Sequence, residues 1–133
     1  MYTITVELEF CYGHRLLNYD GKCRYPHGHN GRLQLAMRGD QLDSNGMLVD
    51  FTVLKKDVNG WIDETLDHRM ILHESDPLVA FLRTQNEPVC PIPHHPTTEN
   101  IARMIFDYCK SRGYPIVEVT LWETSKNCAS YSG

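Results

Sequence analysis

The chain has 133 residues, of which 41% are hydrophobic and 23% are charged, as in ordinary soluble globular domains. A chain of this length buries roughly two-thirds of its unfolded surface, so we expect one domain, residues 1–133, with an apolar core. The net charge of −4 argues against nucleic acid as the main ligand. No apolar run approaches the roughly 20 residues that cross a bilayer, and the N-terminus lacks a basic, then apolar leader, so neither a membrane partner nor secretion is expected.

The first two predicted elements are strands. In Tyr2–Phe10 apolar residues alternate with polar ones, which is the period of a half-buried strand, and Leu33, Leu35 and Met37 repeat the pattern. An amphipathic helix of about four turns is predicted next, from Phe51 to Leu66.

A single helical turn is expected at Pro77, followed by a second long helix. This helix should begin near Thr98, whose hydroxyl can cap it, and stop at Gly113. A last strand should turn Val117, Val119 and Leu121 inward. Strands, then helices, then a strand predict an α+β fold with an antiparallel sheet.

Three histidines form the clearest candidate site. His27 and His29 are two residues apart, so in an extended segment both project from one side and can reach one metal ion. His14 continues the inward row of the first strand, provided that the strand does not bulge at Gly13. Three imidazoles around zinc leave one coordination position open, as in catalytic sites. A His-x-His pair also arises by chance in loops.

Cys23 lies four residues before His27 and has three possible roles. It can be a fourth zinc ligand, which would make the site structural, or a thiolate beside the metal that acts as base or nucleophile. A buried structural cysteine is the third reading. The cysteines are five, an odd number, without a Cys-x-x-Cys pair, so we interpret them as reduced and expect a cytoplasmic protein.

Two acidic positions add to the site. Asp67 precedes His68 and can orient its imidazole, although a histidine at a helix C-terminus also interacts favourably with the helix dipole. Glu123 shares the inward parity of the last strand, so its carboxylate either has donors waiting or is exposed by a twist. A planar ligand edge with two adjacent N–H groups would satisfy it.

Five blocks in order resemble the family of 6-pyruvoyl- and 6-carboxy-tetrahydropterin synthases, nearly end to end. They are Phe10-Cys11-Tyr12-Gly13-His14, Cys23-x3-His27-Gly28-His29-Asn30, Leu66-Asp67-His68, Pro96-Thr97-Thr98-Glu99-Asn100-Ile101 and Trp122-Glu123-Thr124. The resemblance implies a tunnelling fold, in which antiparallel sheets with two helices on one face join into a barrel, commonly in a hexamer of stacked trimers.

The resemblance also implies the chemistry. Zinc would be bound by His14, His27 and His29. Cys23 would be the catalytic base, with Asp67 and His68 as its charge-relay partners. Glu123 would grip the pterin, in a pocket that Thr98 lines, and the substrate would be 7,8-dihydroneopterin triphosphate. Arg15, Lys22 and Arg24 flank the second motif and are candidates to hold the triphosphate, although a solvated charged loop explains them equally well.

The sequence departs from the family pattern near the ligands. A large residue, Tyr12, stands where a small one is usual, and Gly31 stands where an aromatic residue commonly follows His-Gly-His-Asn. A proline-rich loop from Gln85 to His95 carries His94 and His95. These departures concern substrate fit more than metal binding.

Several functions remain open at this level. The compact chain and the Leu48-Val49-Asp50-Phe51 block favour the 6-carboxy enzyme, which releases acetaldehyde and feeds the 7-deazaguanine route to queuosine. The alternative within the family is the 6-pyruvoyl enzyme of the biopterin route. Two alternatives lie outside the family: a non-catalytic zinc module, and a zinc hydrolase with Glu123 or His68 as base.

Overall fold

A computed structural model describes all residues, 1–133, as six strands, three helices and one 3-10 turn. The strands are β1 (Tyr2–His14), β2 (His27–Gly39), β3 (Arg69–His73), β4 (Val89–Ile92), β5 (Ile116–Trp122) and β6 (Cys128–Tyr131). The helices are α1 (Phe51–Thr65), α2 (Leu78–Thr84) and α3 (Thr98–Ser111), and the 3-10 turn is Lys22–Arg24. No helix is both long enough and apolar enough to cross a bilayer.

The strands form one sheet in the order β4-β3-β1-β2-β5-β6. Neighbours from β1 to β6 are antiparallel, which confirms the predicted α+β class with a mostly antiparallel sheet. The residue pattern missed β6, which follows the predicted last strand, and it missed β3 and β4, which run parallel to β1 and to each other. Helix α2 is the crossover that joins the parallel strands β3 and β4.

One apolar core holds the sheet and the two long helices together. Helices α1 and α3 bury Leu54, Val58, Ile62, Ile101 and Ile105 in the same cluster as the inward residues of β1 and β2. Both long helices therefore cover the same face of the sheet. The inward row of β1 continues without a bulge as far as His14, which is 3% exposed, as the alternation predicted.

The hairpin of β1 and β2 places the histidines. His14 pairs with His27, and Tyr12 pairs with His29, at the end of a ladder that starts at Tyr2 and Gly39. Paired residues of neighbouring strands project from the same face of a sheet. All three histidines therefore extend the inward face beyond the apolar core.

Two local predictions were wrong. The cap of α3 is Thr97, whose hydroxyl accepts a hydrogen bond from the Asn100 amide, so Thr98 is already the first helical residue. The register of β2 and β5 shifts at Ala36 and Met37, which aligns Met37 with Ile116. Because of this bulge Ile116 is buried, and Val117 is only half-buried instead of joining the inward row.

The remaining helix predictions agree with the structure to within a few residues. Gly113, with φ 83°, lies just beyond α3 in the left-handed region that favours glycine, as expected for a stop signal. Pro77 caps α2, which is longer than the single turn predicted. Val119 and Leu121 are fully buried, as the alternation required.

Candidate metal centre

The three histidines meet in one cluster at the open end of the hairpin. One ring nitrogen of each of His14, His27 and His29 lies within 4.8 Å of the others. His14 is buried and the other two are half-buried, so the cluster can be reached from one side. The arrangement is that of a three-imidazole site with access for a further ligand.

Backbone carbonyls orient two of the imidazoles. His14 Nδ1 donates to the carbonyl oxygen of Pro96 and His27 Nδ1 to that of Tyr25, each at 2.7 Å. A proton fixed on Nδ1 leaves the Nε2 lone pair free to bind a metal ion.

The spacing of the nitrogens also fits zinc. The Nε2 atoms of His14 and His29 are 3.1 Å apart. In a tetrahedral site with Zn–N bonds of about 2.0–2.1 Å, ligand nitrogens lie roughly 3.3 Å apart. The donor set and its geometry therefore suit a divalent transition metal.

Burial favours the neutral form of His14 and His29. Desolvation lowers the pKa of His14, and the neighbouring imidazoles lower it further, against the opposing hydrogen bond to Pro96 and the charge of Glu123. Desolvation also lowers the pKa of His29. A metal binds only the neutral imidazole, so both shifts favour metal binding at neutral pH.

Glu123 and Thr98 complete this side of the site. Glu123 Oε1 lies 3.3 Å from the Nε2 atoms of both His14 and His29. The Thr98 hydroxyl donates to the same carboxylate oxygen at 3.3 Å. Because Thr97 caps α3, the Thr98 side chain is free for this contact. The structure thus brings together five of the residues that the sequence singled out.

Asp67 and His68 form a pair at the start of β3. Asp67 Oδ2 accepts a hydrogen bond from His68 Nδ1 at 2.6 Å, and Oδ1 accepts one from the Cys11 amide at 2.9 Å. Burial raises the pKa of Asp67, but the hydrogen bonds from His68 and Cys11 outweigh it and hold this pKa below its ordinary value. The His68 imidazole is 78% exposed and therefore available to a ligand.

Cys23 stands apart from both groups. It is exposed on the 3-10 turn, so the reading as a buried structural cysteine is wrong. Its sulfur is not part of the histidine cluster, and no hydrogen bond joins it to Asp67 or His68. Cys109, in contrast, is fully buried on α3, and burial raises its pKa to about 12.

Two of the three basic residues that flank the second motif interact with other side chains. Arg15 Nε donates to Asp76 Oδ2 at 2.8 Å in a pair whose carboxylate is fully buried. Arg24 donates to the Tyr25 hydroxyl at 2.7 Å. Of the three candidates for triphosphate binding, only Lys22 makes no ion pair or side-chain hydrogen bond.

Sequence reasoning missed a groove of about 670 Å³ at the open end of the hairpin. Residues of both strands line it, including His27 and His29 of the metal cluster, together with His68, Arg69 and Glu87. Sequence reasoning also missed the carbonyl groups of Pro96 and Tyr25 as hydrogen-bond acceptors, because a pattern of side chains does not predict which backbone groups accept hydrogen bonds. The signal for the groove in the sequence was the pair of glycines at 13 and 28, which line it without side chains.

Known proteins are similar to this chain over nearly its whole length. Residues 3–133 match the family model described as 6-pyruvoyl tetrahydropterin synthase. A 6-carboxy-5,6,7,8-tetrahydropterin synthase of Rickettsia bellii is 34% identical, over 96% of this chain and 97% of the relative.

Two solved structures have the same fold. An uncharacterised protein of Wolinella succinogenes superposes with a TM-score of 0.84 at 27% identity, covering 99% of this chain and 98% of its own. The 6-pyruvoyl tetrahydropterin synthase of Caenorhabditis elegans superposes with a TM-score of 0.71 at 29% identity, covering 100% and 97%. The chain therefore belongs to the 6-pyruvoyl tetrahydropterin synthase family.

Proposed function

We propose that the chain is a zinc-dependent 6-carboxy-5,6,7,8-tetrahydropterin synthase. It would convert 7,8-dihydroneopterin triphosphate and water to 6-carboxy-5,6,7,8-tetrahydropterin, triphosphate and acetaldehyde. The observation that carries the proposal is the cluster of three imidazoles with Glu123 beside it. The names of the curated relatives favour the 6-carboxy product.

In this proposal His14, His27 and His29 hold the zinc ion through Nε2, and one coordination place stays open. When bound, zinc supplies Lewis acidity to the hydroxyl groups of the substrate side chain, which makes the protons that must move more acidic. Pro96 and Tyr25 keep the two imidazoles in the required tautomer.

Glu123 and Thr98 would recognise the pterin ring. A carboxylate can accept two parallel hydrogen bonds from adjacent N–H groups, and the amino-pyrimidine edge of a pterin offers such a pair. Thr98 donates to Glu123 and so restrains the carboxylate. The contact between Glu123 and the pterin would fix the distance between the pterin ring and the imidazoles, and so keep the reacting carbons in place.

Cys23, His68 and Asp67 would move protons. Cys23 is exposed on its turn, so its sulfur is accessible to a substrate and would take a proton from it and return it. Asp67 holds His68 through a hydrogen bond of 2.6 Å, and His68 would shuttle a proton as triphosphate leaves. Lys22, which makes no ion pair or side-chain hydrogen bond, would bind the leaving triphosphate.

We further propose a cytoplasmic enzyme of the queuosine route that works as a hexamer of stacked trimers. Sedimentation velocity tests the assembly: a species of six chains supports it, and a monomer at micromolar concentration contradicts it.

The product assay tests the function directly. Zinc-loaded protein is incubated with 7,8-dihydroneopterin triphosphate, and the products are separated by chromatography while acetaldehyde is trapped as a hydrazone. We expect 6-carboxy-5,6,7,8-tetrahydropterin and acetaldehyde in equal amounts. A 6-pyruvoyl product without acetaldehyde would instead identify the sister activity, and no turnover of this substrate would remove both.

A further inference from the structure

Tyr12 carries a hydroxyl group that the proposed mechanism does not use. Its side chain points inward from β1 and is only 3% exposed, and its hydroxyl oxygen is buried without a hydrogen-bond partner. Buried hydroxyl groups in proteins are nearly always hydrogen-bonded, because burial without a partner is unfavourable. An exception next to a candidate metal centre therefore calls for a functional explanation.

Gly31 makes room for the Tyr12 ring. A Cβ atom at position 31 would lie 3.1 Å from Tyr12 Cε1 and 3.2 Å from Leu121 Cδ1, closer than ordinary contacts. The ring of Tyr12 therefore lies over Gly31 and occupies the space that a side chain there would fill. The large residue at 12 and the small residue at 31 are two halves of one packing arrangement.

The ring and Glu123 flank the same imidazoles. Trp122, the last residue of β5, pairs with Arg32, and Glu123 follows it directly, so Glu123 leaves the sheet at the end nearest Gly31. The Tyr12 ring centroid is 5.3 Å from that of His14 and 5.7 Å from that of His29. Glu123 Oε1 lies 3.3 Å from Nε2 of both histidines.

Metal binding would change the partners of Glu123. The proton of His14 already lies on Nδ1, so its Nε2 does not donate to the carboxylate. Once the Nε2 atom of His29 faces a metal ion, it carries no proton either and cannot donate to Glu123. Glu123 would then keep only the Thr98 hydroxyl as a side-chain donor. The buried hydroxyl of Tyr12 is a donor without an acceptor, and its ring flanks the same two imidazoles as the Glu123 carboxylate.

We propose that Tyr12 is a positioning residue whose hydroxyl donates a hydrogen bond to the Glu123 carboxylate in the zinc-loaded protein. The bond aims the carboxylate at the two adjacent N–H groups of the pterin edge. This second statement rests on the proposed function, whereas the bond itself requires only the metal.

The first test measures thermal stability with and without zinc, so it needs no pterin. Without zinc, Tyr12→Phe should have a thermal midpoint equal to or above the wild-type value, because the lost hydroxyl had no partner. With zinc, the variant should melt a few degrees below the wild type. In a Glu123→Ala background, Tyr12→Phe should cause no such zinc-dependent loss.

The second test measures pterin binding with neopterin as the probe, by fluorescence titration of the zinc-loaded protein. Tyr12→Phe should keep its zinc and bind neopterin about tenfold more weakly, because a hydrogen bond to a charged group is lost. Tyr108→Phe is the matched control: it removes a phenol that donates to Asp57 at 2.7 Å, away from the cluster. It should lower the thermal midpoint and leave neopterin affinity unchanged.

The outcomes separate the two claims. Equal zinc-dependent midpoints for Tyr12→Phe and wild type would overturn the Tyr12–Glu123 bond, as would a loss that persists without Glu123. If the midpoints behave as expected but the wild type does not bind neopterin, the bond stands and the pterin assignment fails. If the wild type and Tyr12→Phe bind neopterin equally, the role of Tyr12 in aiming the carboxylate is overturned.

Discussion

Two groups of candidate residues at the open end of the hairpin are organised differently. We call the residues on the inward face of the sheet the inner group, and Cys23, Asp67 and His68 the outer residues. On the inner side, His14, His29 and Glu123 approach within 3.1–3.3 Å of each other, in a pocket where His14 is buried. On the outer side, Cys23 is exposed on its turn, and His68 is 78% exposed beside Asp67. One chain assembles the inner group, but no hydrogen bond joins Cys23 to the outer pair.

In the proposed mechanism this difference would separate binding from proton transfer. The inner group is preorganised by backbone carbonyls and by strand register, so it can hold a metal and a ring with little rearrangement. Of the outer residues, Cys23 and His68 are exposed, and in the proposed mechanism the substrate brings the outer residues into one reaction. We therefore expect substitutions on the inner side to remove binding, and substitutions on the outer side to remove turnover alone.

The largest effect is expected from His27→Ala. Loss of a residue that only hydrogen-bonds to a metal ligand lowers the metal affinity about 10- to 100-fold. Loss of a ligand itself should therefore weaken zinc binding by more than about 100-fold. Turnover should disappear with the metal. Metal analysis of the purified variant after dialysis against micromolar zinc is the measurement, and stoichiometric zinc in the variant would break the assignment of the inner group.

Cys23→Ala should separate the two regions most clearly. We expect full zinc content and a turnover number about 100- to 10,000-fold lower, the range for loss of a general acid–base group. Steady-state kinetics and metal analysis on the same sample provide both numbers. A zinc hydrolase would keep its activity in this variant, and a structural zinc site with a cysteine ligand would lose its metal.

A smaller loss of turnover is expected from Asp67→Asn. The amide keeps the size of the side chain but removes the charge that orients His68, so we expect about 10- to 100-fold slower turnover with unchanged zinc content. The wild-type KM for the pterin substrate should be retained, because Glu123 is untouched. A raised KM with normal turnover would place Asp67 in binding instead.

Asp57→Asn is the control outside both regions. Asp57 accepts hydrogen bonds from Tyr108, Tyr114 and Arg112, which join α1 to the end of α3. Burial raises the pKa of Asp57, but these hydrogen bonds outweigh it and lower the pKa overall. We expect about 1–3 kcal/mol less stability at pH 7 with unchanged zinc content and turnover.

The sign of the Asp57 shift sets the pH dependence of this control. A lowered pKa in the folded state stabilises the fold above the ordinary carboxyl pKa of about 3.9, and the stabilisation fades as the pH falls through the folded value. The difference in unfolding free energy between wild type and variant should therefore shrink below about pH 4. Urea titrations from pH 7 down to pH 3 measure it, and a constant difference would contradict the electrostatic explanation.

The alternation of the first strand predicted a large part of the inner group. An unbroken two-residue period carried the inward parity from the apolar core to His14, and the same period joined His27 to His29. These are local patterns, and a paired hairpin preserves them. The same alternation gave a wrong prediction at Val117 of β5, because the bulge there depends on the register with β2 and not on the sequence of β5 itself.

Other features depend on contacts between distant segments. The parallel strand β3 places Asp67 against Cys11, 56 residues earlier, and the Pro96 carbonyl lies 82 residues from His14. The packing of Tyr12 over Gly31 depends on how the ring turns, which composition and spacing do not determine. The sequence identified the residue types of the site, and the fold decided which of them meet.

X-ray absorption spectroscopy of the zinc-loaded protein tests the central claim most directly, since it reads the atoms bound to the metal in the resting enzyme. We predict only nitrogen and oxygen neighbours, at about 2.0–2.2 Å, with histidine scattering from three rings. A sulfur neighbour at about 2.3 Å would show that Cys23 closes the site, and it would contradict the separation of metal binding from proton transfer.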